Sequence, residues 1–120
     1  MLRKPNRKEV GSAGEKLAAG FLRRQGYRIL ARNYRTPYGE IDLVAYQNKE
    51  TVFIEVKTRQ QKVFGTPAEA LTRSKVLHWE RAASFYLQKI RGFSQPFRFD
   101  FVGIDLTEKT PEISLIKNVL

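Results

Sequence analysis

Two short stretches hold the residues best suited to chemistry. In Gly39-Glu40-Ile41-Asp42-Leu43-Val44-Ala45 the acids Glu40 and Asp42 alternate with apolar side chains, as Glu55 and Lys57 do in Val52-Phe53-Ile54-Glu55-Val56-Lys57. Period-two alternation marks a strand. It predicts Glu40 and Asp42 on one face of the first strand, with Ile41, Leu43 and Ala45 on the other, and Phe53, Glu55 and Lys57 on one face of the second. The polar Gln47-Asn48-Lys49-Glu50 between them is turn chemistry. A hairpin closing symmetrically about Asn48-Lys49 sets Asp42 opposite Glu55 and Glu40 opposite Lys57. Directly opposed carboxylates destabilise a sheet, and burial together pushes both pKa values up. A divalent cation relieves both costs. Mg²⁺ or Mn²⁺ is held by one or two carboxylates plus water and substrate phosphate, and can generate hydroxide and stabilise charge building on phosphorus. Asp42 and Glu55 are the expected metal ligands. Lys57 shares Glu55's face, where it can orient water or stabilise phosphoryl oxygens.

Glu15 is a fourth candidate, at the edge of a helical apolar stripe with Ala18, Ala19 and Leu22 beside it, so that it leans toward the sheet. Arg32, Arg35, Arg59 and Arg73 are candidate phosphate contacts. Lys75 is most simply a snorkelling helix residue, with a place in the cleft as the alternative. The bland meaning of such strands is a solvated sheet face with cross-strand ion pairs. Arg98 and Asp100 share a strand face and are expected to form a structural ion pair, and His78 is expected to be a partly buried helix residue.

Positioning these residues requires a scaffold. Residues 1–10 read as a basic flexible arm and 11–120 as one domain. Leu17, Ala18, Phe21 and Leu22 fall at helical spacing within Gly11 to Gln25, stopped by Gly26. Tyr27 to Tyr34 alternates loosely as a strand, with turn chemistry at Thr36-Pro37-Tyr38-Gly39. The two acidic strands follow. Pro67 suits the first turn of a second helix, whose stripe is Val76, Trp79, Ala83, Tyr86, Leu87 and Ile90, ending near Gly92. Phe97 to Asp105 is a strong strand and Glu112 to Ile116 a weaker one. The expected fold is α/β, a mixed sheet of four or five strands flanked by two main helices, in the order αβββαβ with a further β possible at the end.

Twenty-two Lys and Arg against twelve Asp and Glu give a formal charge of +10, the footprint of a protein that binds polyanions. Nucleic acid is the expected partner. The chain has no cysteine and one histidine, which excludes thiol chemistry and zinc knuckles and argues against a Ser/His/Asp triad. No apolar run approaches the roughly 20 residues that span a bilayer, and no signal-peptide core follows the basic N-terminus. A soluble, cytoplasmic protein with no membrane partner is expected.

Asp42, followed on the next strand by Glu55-Val56-Lys57, resembles the PD-(D/E)xK signature of restriction-endonuclease-like nucleases, and the expected element order resembles their core. More specifically, Gly14-Glu15 with Ala18, Gly26-Tyr27, Arg32-Asn33, Gly39-Glu40-Ile41-Asp42-Leu43, Phe53-Ile54-Glu55-Val56-Lys57-Thr58-Arg59, Gly65 and Arg98-Phe99-Asp100 resemble the YraN family. These are small bacterial proteins predicted to be nucleases and similar to archaeal Holliday-junction resolvases. The resemblance implies metal binding by Asp42 and Glu55, a catalytic role for Lys57 and a supporting acidic role for Glu15. The Q-x-x-x-Y element often found on the next helix of resolvase-like relatives has no match between Pro67 and Arg91.

Two functions follow as expectations. The first is a metal-dependent endonuclease hydrolysing phosphodiesters in DNA, branched DNA included. The second is a non-catalytic nucleic-acid-binding module of the same fold. DNA is favoured over RNA as partner, and a homodimer stands as an alternative to a monomer.

Overall fold

The computed structural model describes residue 3, residues 5–60, residue 69, residues 71–92 and residues 94–120. Among the described residues, seven elements follow in chain order: α1 (Arg7–Arg24), β1 (Arg28–Thr36), β2 (Gly39–Gln47), β3 (Glu50–Arg59), α2 (Arg73–Ile90), β4 (Phe97–Asp105) and β5 (Glu112–Ile116). The strands form one mixed sheet in the order β1-β2-β3-β4-β5. Among the described strands the β3–β4 pairing is parallel and the others are antiparallel, and α2 lies in the crossover that the parallel pair requires. This is the expected α/β class, with the fifth strand present.

Both helices start elsewhere than their sequence patterns indicate. The Asn6 side chain accepts the Glu9 amide at 2.8 Å and caps α1 at Arg7, so the helix takes in residues assigned to the basic arm. Thr72 caps α2 through the Lys75 amide at 3.2 Å. A hydroxyl that satisfies an otherwise orphaned donor marks the start better than the apolar stripe does. Pro67 and Gly65 lie outside the described residues.

Asn48 and Lys49 both adopt left-handed φ values, 51° and 64°, the geometry of a two-residue type I′ hairpin turn. The pairing follows as expected from Gln47↔Glu50 through Leu43↔Ile54. Each sheet face is covered by one helix. Leu43, Ala45, Val52, Ile54, Val102 and Ile104 pack with Ala18, Ala19 and Leu22 of α1. Ile41, Val44, Phe53 and Phe99 pack with Trp79, Ala82, Ala83, Tyr86 and Leu87 of α2. Ile90, at the last position of α2, stays 46% exposed and outside the core.

A buried polar network ties the far end of the sheet together. Arg98 donates to Asp100 and, through the same guanidinium, to Glu50, Gln47 and Tyr27, while Tyr27 donates to Asp100 at 2.7 Å. Asp100 also accepts the Asn118 amide at 2.9 Å, and Gln47 donates to the Gln25 carbonyl. The end of α1, the β2–β3 turn and the C-terminal segment thus share one charge-assisted anchor. Burial and Asp100 push the Tyr27 phenol up to about 12.

Gly14 allows α1 to seat directly on β3, since a Cβ at that position would stand 1.9 Å from Thr58 Oγ1 and 3.1 Å from Thr58 Cβ. Gly14→Ala is therefore expected to cost about 1–3 kcal/mol through overpacking, measured by urea unfolding. Thr58→Ala should recover part of that loss in the double variant. Additive losses would show that the close approach is not what makes the glycine necessary.

Candidate active site

The chemistry-bearing residues gather where the regular ladder gives way. Asn33 in β1 is left-handed, with φ 52°. The β1–β2 pairing goes from Arg32↔Leu43 to Tyr34↔Ile41 and passes over Asn33 and Asp42. On the other side, the β2–β3 pairing ends at Leu43↔Ile54. The expected ladder partners Asp42/Glu55 and Glu40/Lys57 are therefore not paired through their backbones. Instead, Asp42 Oδ2 accepts the Val56 amide at 2.8 Å. A side chain satisfies the donor left over where two strands part.

This kink also changes the phase of β2. Ile41 packs toward α2, whereas Leu43 and Ala45 pack toward α1. The expectation that all three share a face fails because alternation holds only along a regular strand. β1 behaves alike: its register shifts between Ile29 and Ala31, which sit on opposite faces. Asp42 sits at the break, within electrostatic reach of Glu15 on α1 and Glu55 on β3.

Asp42, Glu55 and Glu15 are thus brought together. Burial, with Glu55 next, raises the Asp42 carboxyl to about 8; its bond from the Val56 amide works against this. Burial raises Glu55 to about 7, against the pull of Lys75 and then Lys57. Glu15 is also raised, chiefly by burial. These are half-buried acids whose mutual repulsion the protein does not fully compensate.

Asn33 is the site residue that strand-face reasoning missed. With its amide nitrogen turned toward the acids, the orientation that satisfies both ends of the group, it donates to Glu40 Oε1 at 2.9 Å and to Glu15 Oε1 and Oε2 at 2.9 and 3.1 Å. The available signal was an asparagine in a strand, since Asn tolerates the left-handed region better than most residues. Glu40 does not meet Lys57 across the hairpin; it stands opposite Arg35 on β1, 3.9 Å from the guanidinium.

Two clefts flank the acids. One, of about 340 Å³, is lined by Tyr38, Glu40, Glu55, Lys75 and Trp79. The other, of about 520 Å³, is lined by Arg7, Gly11, Glu15, Lys57 and Arg59. Lys57 is exposed. Lys75 takes its place in the first cleft. His78 also reaches that cleft, exposed, with Nδ1 2.7 Å from the Ser74 carbonyl.

The arginines divide. Arg32 is exposed and pulls the Glu15 carboxyl down. Arg35 stands free of burial beside Glu40, and Arg73 is exposed at the first turn of α2. Arg59, however, is paired with Asp105 through Nη2 at 2.8 Å and Nε at 3.1 Å.

Among the described residues, no group of three or more His, Cys, Asp or Glu side chains could hold a metal by itself. The donor set is a carboxylate pair, Asp42 and Glu55. It fits a hard cation that keeps several waters and takes substrate phosphate as a ligand.

Comparison with known proteins places this arrangement in a family. The model of "Uncharacterised protein family UPF0102" matches residues 14–104, which include Glu15, Asp42, Glu55 and Lys57. A UPF0102 protein of Dehalococcoides mccartyi is 47% identical over 115 residues, covering 96% of this chain and 95% of the relative. One of Caldicellulosiruptor saccharolyticus is 41% identical, covering 94% and 98%, and one of Thermotoga neapolitana is 50% identical over 92 residues, covering 77% and 83%. The chain belongs to the UPF0102 family, the YraN family whose motifs its sequence resembles.

Proposed function

We propose that this protein is a divalent-metal-dependent nuclease that hydrolyses phosphodiester bonds in DNA. One observation carries the reading: Asp42 and Glu55, half-buried and mutually repelling, stand where β2 and β3 part, with Lys57 and Lys75 beside them. A protein that only binds phosphate gains nothing from such a pair, because carboxylates repel the backbone it must hold. The overall charge of +10 supports a polyanionic partner. No helix among the described residues is long and apolar enough to cross a membrane.

Each residue has a role in this reading. Asp42 and Glu55 hold Mg²⁺ or Mn²⁺, which when bound supplies Lewis acidity toward the phosphoryl oxygens and a water of lowered pKa. Lys57 stabilises the charge that builds on the phosphoryl oxygens. Lys75 favours the ionised form of Glu55, against the effect of burial. Glu15, tied to Asn33, is a positioning residue that keeps the acidic corner in place from α1.

Cleavage assays on duplex, single-stranded and four-way-junction DNA, with Mg²⁺, Mn²⁺ or chelator, test the proposal. The wild type should cut at least one of these only when metal is present. Asp42→Asn should abolish cutting yet bind DNA at least as well as the wild type, because it keeps an oxygen for the Val56 amide and adds no charge beside the phosphate. Lys57→Ala should lose about 2.7–4 kcal/mol of transition-state stabilisation, the range seen for one oxyanion donor. If the wild type binds DNA and cuts nothing, the non-catalytic binding module is the correct reading.

Affinity should fall linearly on a log–log plot against salt, with a slope of about 0.9 per duplex phosphate neutralised. A flat dependence would remove the electrostatic part of the argument.

Stability without metal should depend on pH through the same acids. With folded pKa values raised to about 8 and about 7, the native state binds more protons than the unfolded chain, so this contribution weakens as pH rises from the ordinary carboxylate range toward 8. Thermal melts in chelator should show Tm falling over that window, less steeply in Asp42→Asn. Mn²⁺ should raise Tm at pH 8 in the wild type and not in the variant. An equal effect in both would place the ion elsewhere.

A further inference from the structure

The hairpin turn between β1 and β2 presents an aromatic ring at the mouth of the site. Tyr38 is 45% exposed, and its turn is tightly held: Tyr38 N donates to Thr36 Oγ1 at 3.1 Å, and Thr36 Oγ1 donates to the Gly39 carbonyl at 2.6 Å. Gly39, at φ 128°, takes a backbone conformation that other residues rarely adopt. The ring therefore stands on a fixed support rather than on a loose loop.

Its position gives it a use. Tyr38 lines the cleft that holds Glu55 and Lys75, and it also lines a neighbouring groove of about 540 Å³ formed with Leu77, Arg81 and Phe85 of α2. It is thus the boundary between the acid cleft and a partly apolar groove. Two other aromatic rings lining the α2 side are occupied: Tyr34 packs edge-on to Tyr86, and Trp79 to Phe99, while Phe85 carries the Lys89 ammonium over its face. Among the described residues, neither Tyr38's ring nor its hydroxyl is engaged in a comparable contact.

Resting on the nuclease reading above, we infer that Tyr38 is a stacking platform for an unpaired base of the DNA strand beside the cleaved phosphate. A phosphate at Asp42 and Glu55 brings a flanking nucleotide to the cleft mouth, where a π-face on a rigid turn can stack any base with little loss of conformational freedom. Arg35, near the same turn, and Arg81 in the groove supply positive charge for the adjoining backbone. A base can meet the ring only if it has left its own stack, so the preferred substrate is single-stranded, flayed or branched DNA rather than continuous duplex.

Binding measured in chelator separates this from catalysis. The probes are a single strand carrying 2-aminopurine and the same sequence in a continuous duplex. The wild type should bind the single strand and quench 2-aminopurine emission. Tyr38→Ala should lose roughly 5- to 100-fold in single-strand affinity, the effect of one base-on-aromatic stack, together with the quenching, while changing duplex affinity little. Tyr38→Phe should keep both.

Unchanged single-strand binding and quenching in Tyr38→Ala would overturn the inference. So would Tyr38→Phe failing as Tyr38→Ala does, which would make the hydroxyl the working group, or an equal loss on both probes with a lowered Tm, which would make the ring a structural prop. Stacking by a protein that cuts no DNA would leave this inference standing and sink the nuclease reading alone. A wild type that binds neither probe would sink both.

Discussion

The hydrogen bond from the Val56 amide to Asp42 is the interaction on which the site depends. Strands β2 and β3 are paired by backbone bonds as far as Leu43↔Ile54. Beyond that point the donor of Val56 needs a partner, and leaving it unmet in a half-buried place would cost about 1–3 kcal/mol. The Asp42 side chain supplies the acceptor. The bond fixes one carboxylate oxygen at the opening and holds the carboxyl near Glu55 despite their repulsion. A straight ladder would have satisfied Val56 without any acid and left no opening between the strands.

The rest of the fold makes that opening tolerable. Strand β3 is central, with Val52, Phe53 and Ile54 fully buried and β4 running parallel along its whole length. The irregularity lies in β1 and β2, while β3 keeps its register with β4. Asn33 absorbs it on β1 by adopting a left-handed conformation, and its amide then neutralises part of the acid–acid conflict by bridging Glu15 and Glu40. The Arg98–Asp100–Tyr27 network holds the opposite end of the sheet and the exit of α1. Removing one member of such a buried ionic group typically costs 3–5 kcal/mol. Rigidity at that end leaves distortion for the end where the acids sit.

The charge distribution follows the same division of labour. The excess of basic residues is spread over exposed positions such as Arg32, Arg35, Arg73 and Lys75, where solvation makes their presence cheap. The acids that lack full compensation are concentrated at one corner. Under the proposed function, an anionic strand drawn toward such a surface by long-range attraction meets concentrated repulsion at that corner, which a divalent ion held by the acids would relieve.

Much of this was legible in the residues alone. Period-two alternation identified β2 and β3, Asn48-Lys49 set their register, and the apolar stripes assigned a helix to each face, because these patterns report local geometry that tertiary contacts only reinforce. Asp42, Glu55, Lys57 and Glu15 could be named for the same reason. Where they meet was decided by the tertiary structure. The strict alternation that places Ile41 with Leu43 fails at Asp42, since a left-handed Asn33 on a neighbouring strand is invisible in the sequence of β2. Arg59, a candidate phosphate contact by residue type, is paired with Asp105, 46 residues away in sequence. Residue type and spacing determine which groups a strand offers. Which of them converge depends on where the sheet breaks and which distant partner captures a charge, and those are properties of the assembled fold.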